Sequence, residues 1–288
     1  MNRLLLLFLA IFPALVMSQP APVAEPAPLG VAHVYKKLPG RNLRVFVQAP
    51  DGWRPSDRRP AIILFHGGGW THGVPSSLND QAAHCVSLGL VACLVEYRLL
   101  NSYISAPEVC ISDAKSAMRW VRAHASELGI DPSRIAAGGG SAGAHLAASV
   151  AMLDGFDDQT DDLAVSCRPQ ALVLFNPVLD ISPGAYAYGR VKERYKEFSP
   201  AHNLRPGAPP SLILCGTADK VVPVASLKRF EAGMQAISSR CELRLYPDQI
   251  HGFYRKSENQ GKYFALTLTE ITTFLQSLGW THVRPPSA

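Results

Sequence analysis

After residue 30 the chain begins with two short segments in which apolar and polar positions alternate, VYKKL and LRVFVQAP. Such alternation places one face of a strand on a core, and the pair predicts an opening hairpin. AIILF, starting at Ala61, has no polar partner face: it is a continuous, β-branched-rich apolar run, as expected of a strand covered on both sides. VACLVEY, RIAAGG, ALVLF, SLILCG and ELRLY follow in the same style, and helical spacing fills the intervals 80–88, 112–128, 142–152, 225–236 and 263–278. Strand alternating with helix predicts an α/β fold, a mostly parallel sheet with helices on both faces. In such sheets chemistry gathers at the carboxyl ends of the strands.

Those ends carry the polar and glycine-rich residues. AIILF is followed by HGGGW, RIAAG by GGSAG, ALVLF by NPVLD, SLILC by GTADKVVP and ELRLYPD by QIHGF. A serine at the apex of a strand-to-helix turn needs glycines two residues to either side, because Cβ atoms there collide with strand and helix. The helix behind Ser141 adds its positive N-terminal end. Alone, a GxSxG pattern is weak: from average Gly and Ser usage it occurs by chance in about one chain in ten of this length. HGGGW strengthens it, since consecutive glycines after a buried strand let backbone N–H groups converge on one point, as an oxyanion hole requires. Gly68, Gly69 and Ala142 are the expected donors. A phosphate cradle competes, but the GK[ST] ending of a P-loop is absent. His66 is expected to stabilise the loop.

Ser141 needs a base and the base an orienting acid. His251 in QIHGF lies at the appropriate strand end, and Asp219 in GTADKVVP lies between serine and histidine in chain order. His145, four residues along the serine's own helix, is the alternative base; Asp180 and Asp248 are alternative acids.

Residues 34 to 280 thus resemble the α/β-hydrolase superfamily, and within it carboxylesterases with an HGGGW loop, both hormone-sensitive-lipase-like enzymes and the feruloyl/acetylxylan-esterase-like group. EYRL, starting at Glu96, and DAKSAMRWVRAHASELGIDPSRI add to the likeness. The elbow reads GGSAG where hormone-sensitive-lipase-like enzymes commonly have GDSAG, which favours the polysaccharide-esterase side. The resemblance implies an acyl-enzyme mechanism with Ser141, His251 and Asp219, no cofactor and no metal. It also implies a small-molecule or oligosaccharide ester substrate. An N-terminal helical cap is not expected, since residues 31–60 read as strands and a turn. The insertion 181–210 is the expected lid, with Tyr186 and Tyr188 as substrate contacts and Trp70 as a cap on the acyl pocket; packing roles suit all three as well. A general short-chain carboxylesterase is the alternative. A prolyl-oligopeptidase-type peptidase lacks room here for its extra β-domain, and a non-catalytic binding module has no reason to keep every motif.

The remaining sequence narrows the setting. MNRLLLLFLAIFPALVMSQ combines Arg3 with an apolar run of roughly 12 residues, too short for a bilayer about 30 Å thick, and reads as a secretory signal over residues 1–18. A retained anchor is the alternative. Residues 19–30, rich in Pro and Ala, read as a linker, and 31–288 as the catalytic domain. The protein is therefore expected outside the cytoplasm, secreted or periplasmic, without stable membrane insertion. The net charge of +5 is spread along the chain and argues against nucleic acid. Six cysteines allow disulfides in an exported protein, but their spacing assigns no pairing and suggests no metal site. The oligomeric state is not legible.

Overall fold

A computed structural model describes residues 26–101 and 106–281. The signal, most of the linker and residues 282–288 lie outside the described residues. Eight strands form one sheet in the order β1-β2-β4-β3-β5-β6-β7-β8. The opening hairpin is β1 (Val31–Leu38) and β2 (Arg41–Gln48), antiparallel to each other and to β4 (Val91–Val95). From β4 across β3 (Arg59–Phe65), β5 (Ile130–Gly140), β6 (Ala171–Phe175), β7 (Ser211–Gly216) and β8 (Cys241–Tyr246) all pairing is parallel. The sheet and its helices are those of an α/β-hydrolase fold.

The continuous apolar runs are explained by burial on both faces. Along β3, Ala61, Ile63 and Phe65 enter one hydrophobic cluster and Ile62 and Leu64 the other. The first cluster also takes α2 (Glu108–Ala123), α3 (Ala142–Met152) and α6 (Val224–Ala236); the second takes α1 (Asn79–Ser87) and α7 (Lys262–Ser277). Helix α2 occupies 108–123 where the spacing predicts 112–128. It starts directly after Pro107, whose missing N–H costs nothing at a helix start, and the chain then turns towards Gly129, which has φ +60°. The end of the Pro/Ala stretch lies on the body: Leu29 N–H donates to Asn79 Oδ1, and Asn79 Nδ2 donates to the Ala27 carbonyl.

The EYRL segment is structural in all three polar positions. Glu96 takes both nitrogens of the Arg44 guanidinium fork, at 2.6 and 3.1 Å. Tyr97 donates its hydroxyl to the His66 carbonyl at 2.7 Å, and Arg98 forks onto Asp113 of α2. Insertion 181–210 holds only short turns, among them α4 (Tyr188–Val191) and α5 (Tyr195–Phe198). All six cysteines are buried and unpaired.

Candidate active site

Chain order reverses between β3, which pairs with β4 on one side and β5 on the other. Loops leaving two adjacent strands in opposite directions open a crevice at this switch point. HGGGW leaves β3 there and Ser141 leaves β5, with Phe65 in register with Gly139.

Ser141 has φ +55° and ψ −116°, a backbone state costing about 1–3 kcal/mol for a non-glycine residue. The fold holds it there: its N–H donates to the Phe175 carbonyl at 2.9 Å, and its carbonyl accepts the His145 N–H at 3.0 Å. Glycines flank it because β3 is close. A Cβ on Gly143 would strike the carbonyls of Phe65 and His66, and one on Gly139 would strike Phe65 and Gly143. The steric demand therefore comes chiefly from the neighbouring strand.

The structure brings Ser141, His251 and Asp219 together in one line. His251 Nε2 is 2.9 Å from Ser141 Oγ, and its Nδ1 is 2.7 Å from Asp219 Oδ2. Asp219 has no exposed side-chain surface. Its Oδ1 accepts the N–H groups of Val221 and Val222 at 2.8 and 2.9 Å, which leaves Oδ2 for the imidazole. Burial pushes the Asp219 carboxyl up, but the hydrogen bonds from His251 and the two amides outweigh it and hold the group below its usual range. An ionised acceptor on Nδ1 keeps the proton there and leaves Nε2 with a lone pair facing the serine hydroxyl.

Gly68 and Gly69 have φ of +118° and +59°, conformations that glycine adopts without penalty. The Gly68 carbonyl turns back to accept Thr71 and His72 N–H, fixing the loop. The N–H groups of Gly68, Gly69 and Ala142 meet no acceptor among the described residues. Gly67 brings this loop against the elbow: a Cβ there would lie 3.0 Å from the Gly140 carbonyl and 3.6 Å from Ser141 Cβ. His66 braces the loop by stacking on Tyr97, 4.3 Å between centroids, with Nδ1–H donating to its neighbour's carbonyl at 2.8 Å. Burial lowers His66 to about 4, so it stays neutral at physiological pH.

The alternative residues are engaged elsewhere. His145 is buried, lowered to about 4 by desolvation, and its Nε2 is 2.8 Å from the Phe198 carbonyl of the insertion. Asp180 caps Ser182 N–H and faces Arg229 and His202. Asp248 is exposed in a turn with φ +59°. One of the expected substrate contacts needs correction. Trp70 is fully buried, edge-on to His145 and stacked under Tyr186 at 6.1 Å, so it supports the loop from below. Tyr188 turns its hydroxyl to Glu193 at 3.1 Å, inside the insertion. Tyr186 is placed at the site, with its hydroxyl 2.8 Å from where a Cβ on Gly69 would lie.

Two residues escaped the sequence reading. Asn176, just after β6, is fully buried and places Nδ2 3.3 Å from His251 Nε2. Its signal was its place at a strand end, in NPVLD. Tyr254, three residues past His251, stacks on Phe175 at 4.5 Å and sets its hydroxyl where a side chain at position 140 would begin. A side chain at position 140 would have to displace the Tyr254 hydroxyl, so glycine there fits the packing of this elbow.

The site joins a serine, a histidine and an aspartate in one hydrogen-bonded line, and comparisons with known proteins agree with the α/β-hydrolase fold that carries it. The sequence profile of the BD-FAE family matches residues 53–188, and that of the dienelactone hydrolase family matches 179–277. Apo esterase 2 of Thermogutta terrifontis superposes with a TM-score of 0.85 at 36% identity, covering 92% of this chain and 100% of that one. Carboxylesterase NlhH of Mycobacterium tuberculosis is 41% identical over 108 residues, 35% of this chain and 32% of its own length. An acetylxylan esterase of Xylanibacter ruminicola is 26% identical over 213 residues, 69% of this chain and 42% of its own length. The chain thus spans less than half the length of both of these curated relatives. It belongs to the α/β-hydrolase esterase family.

Proposed function

We propose that this protein is a serine carboxylic-ester hydrolase for short acyl groups, with acetyl esters of plant-type polysaccharide or oligosaccharide as its substrates. The observation that carries the reading is the unbroken line from Asp219 through His251 to Ser141 Oγ. In the reaction His251 Nε2 removes the serine proton as Oγ attacks the ester carbonyl. The N–H groups of Gly68, Gly69 and Ala142 hold the oxyanion, each such donor being worth about 2.7–4 kcal/mol of barrier. The imidazolium returns its proton to the leaving alcohol, and water activated by the same nitrogen hydrolyses the acyl-enzyme. Asp219 keeps the imidazole oriented and offsets its charge throughout.

Short acyl groups fit the slight covering of the site by the insertion, and Thermogutta terrifontis esterase 2 has been determined with propionate and with butyrate bound. The sugar alcohol is supported by a cavity of about 200 Å³ beside Tyr186, in which the Asp180 carboxylate and Arg229 guanidinium offer an acceptor and donors to hydroxyl groups. It is also supported by likeness to an acetylxylan esterase. Export to the periplasm or medium, read from residues 1–18, would put the enzyme where such polymers are. The test compares acetate release from acetylated xylo-oligosaccharides with hydrolysis of p-nitrophenyl acetate and butyrate, using Ser141→Ala as control. Rapid deacetylation of the sugar, lost in the variant, supports the full proposal. Turnover of aryl esters alone leaves a general short-chain carboxylesterase, and turnover surviving in the variant removes Ser141 as nucleophile.

A further inference from the structure

We infer that Asn176 is a positioning residue for the general base, its carboxamide oriented by the Gly252 N–H so that Nδ2 presents a donor to His251 Nε2. This inference rests on the esterase reading above. Asn176 Oδ1 accepts the Gly252 N–H at 3.4 Å, which sets the orientation of the amide, and Nδ2 then points at His251 Nε2 from 3.3 Å. The residue is fully buried, with φ +35° and a backbone N–H donated to the Leu214 carbonyl at 2.7 Å. It follows Phe175, whose carbonyl accepts the Ser141 N–H. One short turn therefore connects the nucleophile elbow to the histidine loop.

The chemistry follows from what an amide nitrogen offers. Nδ2 only donates, so it is complementary to Nε2 with a lone pair and opposed to Nε2 carrying a proton. Asp219 acts on the other nitrogen in the same sense when the ring is neutral, since an acceptor at Nδ1 and a donor at Nε2 select one tautomer. The two differ when the ring is charged: Asp219 stabilises the imidazolium, and Asn176 disfavours it. The amide thus helps return the proton from Nε2 to the leaving alcohol. The other groups about this ring are Ser141 Oγ, Cys215 behind Asp219 with Sγ 3.8 Å from Oδ2, the Tyr254 hydroxyl over Gly140, and Arg255 beside Gly252. Among the described residues only Asn176 and Ser141 hydrogen-bond to Nε2.

The experiment measures kcat/KM against pH with p-nitrophenyl acetate for the wild type, Asn176→Ala and Asn176→Asp, with thermal melts to check folding. Asn176→Ala is expected to lower kcat/KM about fivefold on the plateau, the effect of one lost hydrogen bond, with KM within about twofold. Its acid limb should move to higher pH by about half a unit, and further in Asn176→Asp, where the donor becomes a charged acceptor. A purely structural role would lower the plateau and leave the limb in place. An unmoved limb, or one displaced to lower pH, in two folded variants overturns the inference. Nitrogen-15 NMR of the histidines, assigned with His251→Ala, provides a readout independent of turnover. The wild-type ring should carry its neutral-state proton on Nδ1, and Asn176→Asp should populate the Nε2–H form; identical tautomers in both also overturn it. Absence of Ser141-dependent turnover in the wild type would overturn the esterase reading instead, and the NMR comparison would still decide the role of Asn176.

Discussion

Two polar regions of this molecule are built on opposite plans. On the outer side of α2, Lys36 contacts Asp113 and Asp158 at 2.9 and 2.5 Å, Arg98 forks onto Asp113, and Arg119 reaches Asp157 and Asp161. Every charge there is matched, and Asp113 is fully buried among its partners. At the carboxyl edge of the sheet, Asp219 is also saturated, but the chain of hydrogen bonds beginning there ends at the Ser141 hydroxyl, and the N–H groups of Gly68, Gly69 and Ala142 have no acceptor among the described residues. The first network has spent its hydrogen-bonding capacity on joining β1, α2 and the 154–161 loop. The second retains capacity at one end, and that remainder is what a reacting ester would use.

Substitutions should separate the two regions. Asp219→Asn is expected to lower kcat on p-nitrophenyl acetate by about 10⁴-fold, by allowing the wrong tautomer, with little change in the urea midpoint. Asp113→Ala should do the reverse. It strands Arg98 without its carboxylate and leaves Lys36 with the Asp158 carboxylate alone, and urea unfolding should reveal a loss of about 3–5 kcal/mol while Ser141-dependent turnover per folded molecule persists. A shift of cost onto activity in Asp113→Ala would mean the regions are coupled.

Gly140→Asp, which restores the commoner GDSAG elbow, probes the seam of the site. The new side chain must displace the Tyr254 hydroxyl, at about 1–3 kcal/mol by overpacking. Adding Tyr254→Phe, which removes the displaced hydroxyl and keeps the stack on Phe175, should recover part of that loss, and a double-mutant cycle of melting temperatures measures the coupling.

Mild acid provides the smallest and most diffuse contrast. At Asp158 burial raises the carboxyl, but the hydrogen bond from Lys36 and those from Thr160 hold it well below its ordinary range. Asp131 is likewise raised by burial, yet hydrogen bonds from Ser133 and Arg134 set it at about 2. Carboxyls depressed on folding contribute stability above their unfolded value near 3.9, and lose it as pH falls through the folded values. The urea midpoint should therefore fall progressively from about pH 4 to pH 2. A flat midpoint over that window would mean these pairs add nothing net to the fold.

Much of this was legible because the chemistry of the fold is local. A β-branched run with no polar alternation has to be covered on both faces, and glycines after such a run mark where backbone must approach backbone. Ser141, Asp219 and His251 follow from those rules and from chain order. What escaped depended on side chains from distant segments meeting. Trp70 reads as a pocket residue until its burial beneath Tyr186 is seen. Asn176 sits in the strand-end segment NPVLD, but nothing local shows its contact with a residue 75 positions away, and Tyr254 acts through the volume it fills over Gly140.

By itself, then, the sequence determined the order of strands and helices, the strand ends that bear chemistry and the three residues proposed to react, since apolar periodicity and backbone sterics act over a few positions. Only the tertiary structure decided which polar groups are saturated, which amides are left without a partner, and which side chains brace the base. Those outcomes depend on distances between segments that no local rule sets.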